Sequence, residues 1–328
     1  MTIKYNQLIL LIFHVLGSNF LFGQSSICHD NSQLTEVESR SFSTLQLVAS
    51  TNLPTCDLTY LRAEWNLNPA LYYISGKVTY YFHRNESFPD SIFLDLNQSL
   101  VIDEIIQNGQ VLNYTHPYNI IRIQLLNPIS STPILDSIQI SYHGSPQSSG
   151  FGSFSTGFSP TNLPFLWTLS EPFGASDWYP TRIALGDKLD SLDLFIHTPN
   201  NMLASGNGVL VSKIHDTDGI IHHWKHRHPI TPYLIGIGVG PYSAFTDLVP
   251  LRSGILPVVN YVYPERLSEW ESAFPYEARM LQFYDSLLIP YPFSDEKYGH
   301  VQFGWGGGME HTLFPYTTLF RSDRKSVV

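Results

Sequence analysis

Cysteine is almost missing: Cys28 and Cys56 are the only two in 328 residues, so one disulfide is the most this sequence can form internally. Charge is thin as well, at 14% of residues, and bases are the minority, 18 Lys and Arg against 28 Asp and Glu. The formal charge of −10 argues against a nucleic-acid partner, which would want a basic face. Beyond residue 23 no long uncharged apolar run occurs, so no membrane span is expected there. With 43% hydrophobic residues the composition is still that of a globular protein and not of a disordered one.

What is present begins with a leader. Lys4 supplies a small positive region, Leu8–Leu16 is apolar apart from His14, and Phe20–Gly23 leads to a cut before Gln24. Met1–Gly23 therefore reads as a cleaved signal peptide, which sends the chain to the periplasm, the surface or the outside. In an exported chain Cys28 and Cys56 are candidates for a disulfide that ties the N-terminal segment to the first strand. Two free thiols are the alternative.

From Tyr60 to Gly240 the pattern is β almost throughout. Val78, Tyr80 and Phe82 alternate with polar neighbours, as do Ile92, Leu94 and Leu96, then Ile121, Ile123 and Leu125, then Ile138, Ile140 and Tyr142. Asn108-Gly109 between two apolar pairs predicts a hairpin, because both residues tolerate positive φ. Asp216–Gly219 predicts another, joining Val209–Ile214 to Ile220–His228. Gly144–Pro164 reads as a long loop, of the kind that is either functional or disordered. Ile230–Tyr242 reads as one apolar strand whose glycines permit close packing. The sum is a mainly β fold, an antiparallel sandwich or saddle-shaped sheet. After Leu256 the pattern changes to strand (Val258–Val262), a helix started by Pro275 with Ala278, Leu281, Tyr284 and Leu288 on one side, and a strand over Lys297–Trp305.

That last strand runs into Gly306, Gly307, Gly308, Met309 and Glu310. Consecutive glycines are usually a turn or bulge. They also leave a backbone with no side chains, against which a peptide can lie as an added strand. G-G-M-E-H at Gly307–His311, preceded by K-Y-G-H-V-Q-F, resembles the exopeptidase signature of the aminopeptidase N family of zinc metallopeptidases. Trp167–Arg182, W-T-L-S-E-P-F-G-A-S-D-W-Y-P-T-R, resembles a second segment of that family, one that reaches the active site from the β domain.

The resemblance implies that Glu310 and Glu171 hold the free α-ammonium of a peptide substrate, that the backbone of Gly306, Gly307 and Gly308 beside Met309 aligns the peptide, and that the full enzyme uses zinc to remove N-terminal residues. An ion pair at about 4 Å is worth roughly 4 kcal/mol at an effective dielectric near 20, enough to select free N-termini. Two carboxylates at one point repel until a cation sits between them, and a substrate ammonium is that cation.

The family's H-E-x-x-H, two histidines for zinc with a glutamate as general base, does not occur in this sequence. No catalytic residue and no metal ligand is therefore assigned, and the chain by itself is expected to be inactive and to bind no zinc. His222, His226 and His228 can share one side of a strand, but no acid or thiol nearby in sequence completes a site, so they read as surface residues. The expected organisation is a signal peptide over 1–23, a β domain over 24–244, the truncated start of an α+β thermolysin-like catalytic domain over 245–312, and a non-native tail over 313–328. The competing reading is a non-catalytic exported β-sandwich that binds peptides or glycans.

Overall fold

Alternating apolar side chains put one face of each long strand in the core. On the strand Ile74–Arg84 they are Ile74, Val78, Tyr80 and Phe82, each at most 1% exposed. The computed structural model describes residues 56–84, 88–126, 132–183, 187–304 and 308–311. Among them, eighteen strands form four sheets. The largest has eight strands in the order β13 (Val209–His215), β14 (Ile220–His226), β11 (Ser191–Thr198), β1 (Leu58–Leu67), β2 (Ile74–Arg84), β8 (Ile134–Gly144), β4 (Leu100–Gln107) and β5 (Gln110–Val111). A four-stranded sheet follows the order β12 (Leu203–Ser205), β15 (Gly238–Gly240), β10 (Pro164–Thr168) and β9 (Phe154–Phe158). Two three-stranded sheets are β3 (Ser91–Asp95), β7 (Ile120–Gln124), β6 (Tyr114–Thr115), and β16 (Ser243–Leu251), β17 (Gly254–Val262), β18 (Tyr298–Val301).

The fold is mainly β and mostly antiparallel, as the alternation predicts. Two pairs are parallel, β1 with β11 and β17 with β18. Parallel neighbours need long crossovers, so local pattern does not announce them. Both predicted hairpins form. Asn108 and Gly109 sit at φ 50° and 76°, and the Asp216 N–H donates to the Gly219 carbonyl.

Three expectations are corrected. The Gly144–Pro164 loop contains β9, which pairs with β10. Ile230–Tyr242 is not one strand: Ile230 makes an isolated bridge to Leu189, Pro232–Leu234 is a 3-10 turn, and only Gly238–Gly240 is a strand. The helix α1 spans Leu267–Leu287 and begins before Pro275, which lies inside it. Pro275 has no N–H for the carbonyl of residue 271, and that residue is exposed, so water can satisfy the carbonyl. Cys56 is buried and has no disulfide partner among the described residues, and burial pushes its thiol up to about 11. Its expected partner, Cys28, lies outside the described residues.

The core of the β part is aromatic. Trp65 and Trp178 pack at 4.9 Å, and Trp178 and Tyr179 at 4.5 Å. Their polar atoms are used as well: the Trp65 indole donates to the Tyr142 hydroxyl at 2.8 Å, and that hydroxyl donates to the Trp178 carbonyl at 3.1 Å. Buried rings of this size each contribute up to roughly 4–6 kcal/mol of transfer free energy.

Helix α1 turns Phe274, Ala278 and Leu281 toward a small cluster of Val249, Leu256 and Val258. Its other side carries a second apolar stripe at helical spacing, with Tyr276 70%, Met280 42%, Phe283 58% and Leu287 60% exposed. Replacing Phe283 and Leu287 together by Glu is expected to lower hydrophobic-dye binding and self-association while shifting the unfolding midpoint by less than about 1 kcal/mol. Dye fluorescence and chemical unfolding of the two proteins check this.

Candidate functional site

Three segments that are distant in sequence build the site. The first is Trp167–Arg182. It leaves β10, where Thr168 and Ile237 exchange hydrogen bonds at 3.0 and 3.1 Å, and passes Glu171 before the 3-10 turn Gly174–Asp177. Trp178 and Tyr179, both 0% exposed, then bolt it to the core. The Trp178 indole donates to Ser170 Oγ at 2.9 Å, next to Glu171, and the Tyr179 hydroxyl donates to the Pro232 carbonyl at 3.0 Å. Half-buried Glu171 is thus carried on a rigid base beside the second segment, the Pro232–Leu234 turn.

The third segment is the strip after β18. Tyr242 Oη donates to the Gln302 carbonyl at 2.9 Å, and the Tyr263 N–H donates to Gln302 Oε1 at 2.9 Å. Phe303 stacks on Trp167 with centroids 6.0 Å apart. Two glycines of the Ile230–Tyr242 run let the strip lie close. A Cβ on Gly238 would stand 2.7 Å from Val301, and one on Gly236 would stand 2.8 Å from the His311 ring. Gly306 and Gly307 lie outside the described residues. Gly308 is exposed, and nothing lies within 4 Å of where its Cβ would be, among the described residues. Met309 is half-buried and Glu310 exposed. An exposed ion pair is worth about 1 kcal/mol or less, so the fuller value expected for Glu310 is cut by screening.

Tyr233, on the Pro232–Leu234 turn, links the two acids. Burial raises its hydroxyl above the ordinary tyrosine value, and the carboxylates of Glu171 and Glu310 both push it the same way. Both acids therefore lie within electrostatic reach of this hydroxyl. Sequence reading missed Tyr233 and also Asn207, whose side chain bridges the turn to the strip. The available signals were a Pro-Tyr break in an apolar run and one polar residue between two glycines, Gly206 and Gly208.

No protein-family model matches the sequence, and no curated protein does. Solved structures match it. An M1 zinc metallopeptidase from Deinococcus radiodurans superposes with a TM-score of 0.61 at 21% identity, over 76% of this chain and 56% of its own. A variant of that enzyme bound to a Tyr-Ser-Ala substrate gives 0.60 at 21% identity, over 75% and 56%. Leukotriene A4 hydrolase from Saccharomyces cerevisiae gives 0.58 at 17% identity, over 75% and 37%. The fold is shared with M1 zinc metallopeptidases. This chain spans about half the length of the Deinococcus structures, 56% of each.

The Deinococcus neighbours are zinc metallopeptidases. Among the described residues no three His, Cys, Asp or Glu side chains converge to hold a metal ion. The histidines of β14 need a correction. His222 and His226 do share a face with Trp224, but it is the inner one, and they are 0% and 1% exposed. Their strand is covered because the segment before β18 docks on it. His226 Nδ1 meets Glu296 at 2.6 Å, the Arg227 N–H donates to the same carboxylate at 2.7 Å, and His228 meets Asp295 at 2.9 Å. Lys297, over the Trp224 ring at 4.8 Å, is pushed down to about 8 by burial.

Burial alone would raise the Glu296 carboxyl. The His226 imidazole overrides it and holds the group below the ordinary value of 4.5. A depressed acid contributes stability that is complete above its unfolded value and is lost as pH falls through its folded one. Glu296→Gln is therefore expected to cost about 2 kcal/mol at neutral pH, with the gap to the parent closing below about pH 4. Urea unfolding across that range checks it, and a gap of constant size speaks against the pairing.

Proposed function

We propose that this chain is the amine-binding part of an exported zinc aminopeptidase of the aminopeptidase N family, which removes N-terminal amino acids from peptides. The observation that carries the reading is that Glu171 and Glu310, from two motifs far apart in the sequence, both lie within electrostatic reach of the Tyr233 hydroxyl. The shared M1 fold and the substrate-bound state of one neighbour support it.

In this reading a peptide lies against the exposed backbone of Gly308, and its ammonium sits between the two carboxylates. The Tyr233 hydroxyl keeps its proton in neutral water, because burial and both acids disfavour its anion. An internal peptide segment brings no cation, and leaves the acids to repel each other. The metal-dependent step falls to residues that this sequence does not contain, since it has no H-E-x-x-H. Export rests on the Met1–Gly23 leader, which lies outside the described residues.

Trialanine is expected to bind the 328-residue chain about tenfold more tightly than N-acetyl-trialanine. Glu171→Gln and Glu310→Gln each reduce that ratio, and the double variant abolishes it. NMR titration measures all four proteins, and equal binding of the two peptides by the parent overturns the reading. The chain alone is also expected to release no N-terminal residue from an aminoacyl amide, with or without added zinc. Zinc-dependent release by the pure polypeptide would show that a hydrolytic site exists without the missing motif.

A further inference from the structure

We infer that Asn207 is a positioning residue of the amine site: its side-chain amide fixes the Glu310 end of the strip against the turn that carries Tyr233. The inference rests on the reading of that site as an amine subsite. Asn207 Nδ2 donates to the Leu234 carbonyl at 3.0 Å and to the His311 carbonyl at 2.8 Å. Its Oδ1 accepts the Gly236 N–H at 2.9 Å. Leu234 is the immediate neighbour of Tyr233, and His311 that of Glu310. One planar group therefore sets the relative position of the two segments on which the hydroxyl and the acid are borne.

The demand is specific to a carboxamide. Two backbone carbonyls must each receive a proton, and one backbone N–H must find an acceptor. Asp offers acceptors only, and Ser a single donor. The side chain is 5% exposed, so water does not readily replace a lost partner.

The backbone beneath is fixed too. Lys297 Nζ donates to the Gly206 carbonyl at 3.0 Å and to the Gly208 carbonyl, on the two sides of Asn207. Gly208 has φ +77°, and a Cβ there would stand 2.0 Å from the Lys225 carbonyl oxygen, so the loop has one course to take. Glu310 is exposed and makes a weak pair when held alone. Its selectivity then depends on being held where Glu171 and Tyr233 act on the same ammonium. A misplacement of about 1 Å in such a constellation costs up to about 100-fold.

The test is Asn207→Asp in the full chain, which keeps the shape and the acceptor but removes both donors. Two measurements are made on protein whose cooperative thermal unfolding shows that it folds. Amide hydrogen exchange over residues 304–311 is expected to speed up about tenfold relative to the parent, with β1 and β2 unchanged. The preference for trialanine over N-acetyl-trialanine is expected to vanish. Exchange at the parent's rate, or an undiminished preference in the variant, overturns the role of Asn207. A parent that shows no preference overturns the amine reading instead, and the exchange arm still decides whether Asn207 holds the strip. Should Asn207→Asp not fold, Asn207→Ser, which keeps one donor, carries the same two readouts with a partial effect.

Discussion

Everything at the candidate site depends on two side chains that lie directly on glycine backbone. His311 and Val301 sit against the Ile235–Gly240 run because positions 236 and 238 carry no side chain; a methyl at either would overlap the His311 ring or Val301. Such an approach is unforgiving, since interiors pack like crystals and a single methyl must push something aside. Through it the strip is drawn onto β15, which in turn pairs with β10, the strand that leads into Glu171. A glycine pair in one segment thus decides where an acid in another one lies.

Around this approach the polar groups form a relay in a poorly solvated interior. Glu296 meets His226, Lys297 caps the Gly206 and Gly208 carbonyls, and Asn207 between them reaches Leu234, Gly236 and His311. Each bond contributes about 1 kcal/mol net, but a partner left unmade at these buried positions costs about 1–3 kcal/mol. The network therefore adds less to overall stability than it does to uniqueness. An apolar interface of equal area would tolerate sliding, and sliding is what a site for a point charge cannot tolerate.

How much of this was readable in the sequence follows from the range of the interactions. Val78, Tyr80 and Phe82 disclose β2, and Asn108-Gly109 its hairpin, because alternation and positive φ are local properties. The inward turn of His222 and His226 is not local. For His226 it needs Glu296 to meet the imidazole, and a polar residue without a partner visible in the sequence reads as exposed. Helix α1 starts earlier than a first-turn proline implies, because residue 271, whose carbonyl loses the N–H that Pro275 lacks, is exposed to water. The strand β9 was hidden in a stretch rich in Gly and Ser, where composition speaks for a loop. The strip and the E-P segment were legible as motifs, but Tyr233 and Asn207, which tie them together, are single residues with no motif of their own.

The exposure of Glu310 bears on how such a site selects. A lone carboxylate in contact with water distinguishes an ammonium from a neutral amide by about 1 kcal/mol, a factor of about five, and salt lowers that further. Burying the acid would strengthen the pair and also charge it with several kcal/mol of desolvation when the site is empty. A half-buried Glu171, an exposed Glu310 and a protonated Tyr233 avoid both extremes. In the proposed amine site, discrimination would come from the number of groups that converge on one cation instead of from the strength of any one of them. Such convergence is only as good as its geometry, which is why the rigid base under Glu171, the glycine contacts and the Asn207 amide matter more to selection than the charges themselves.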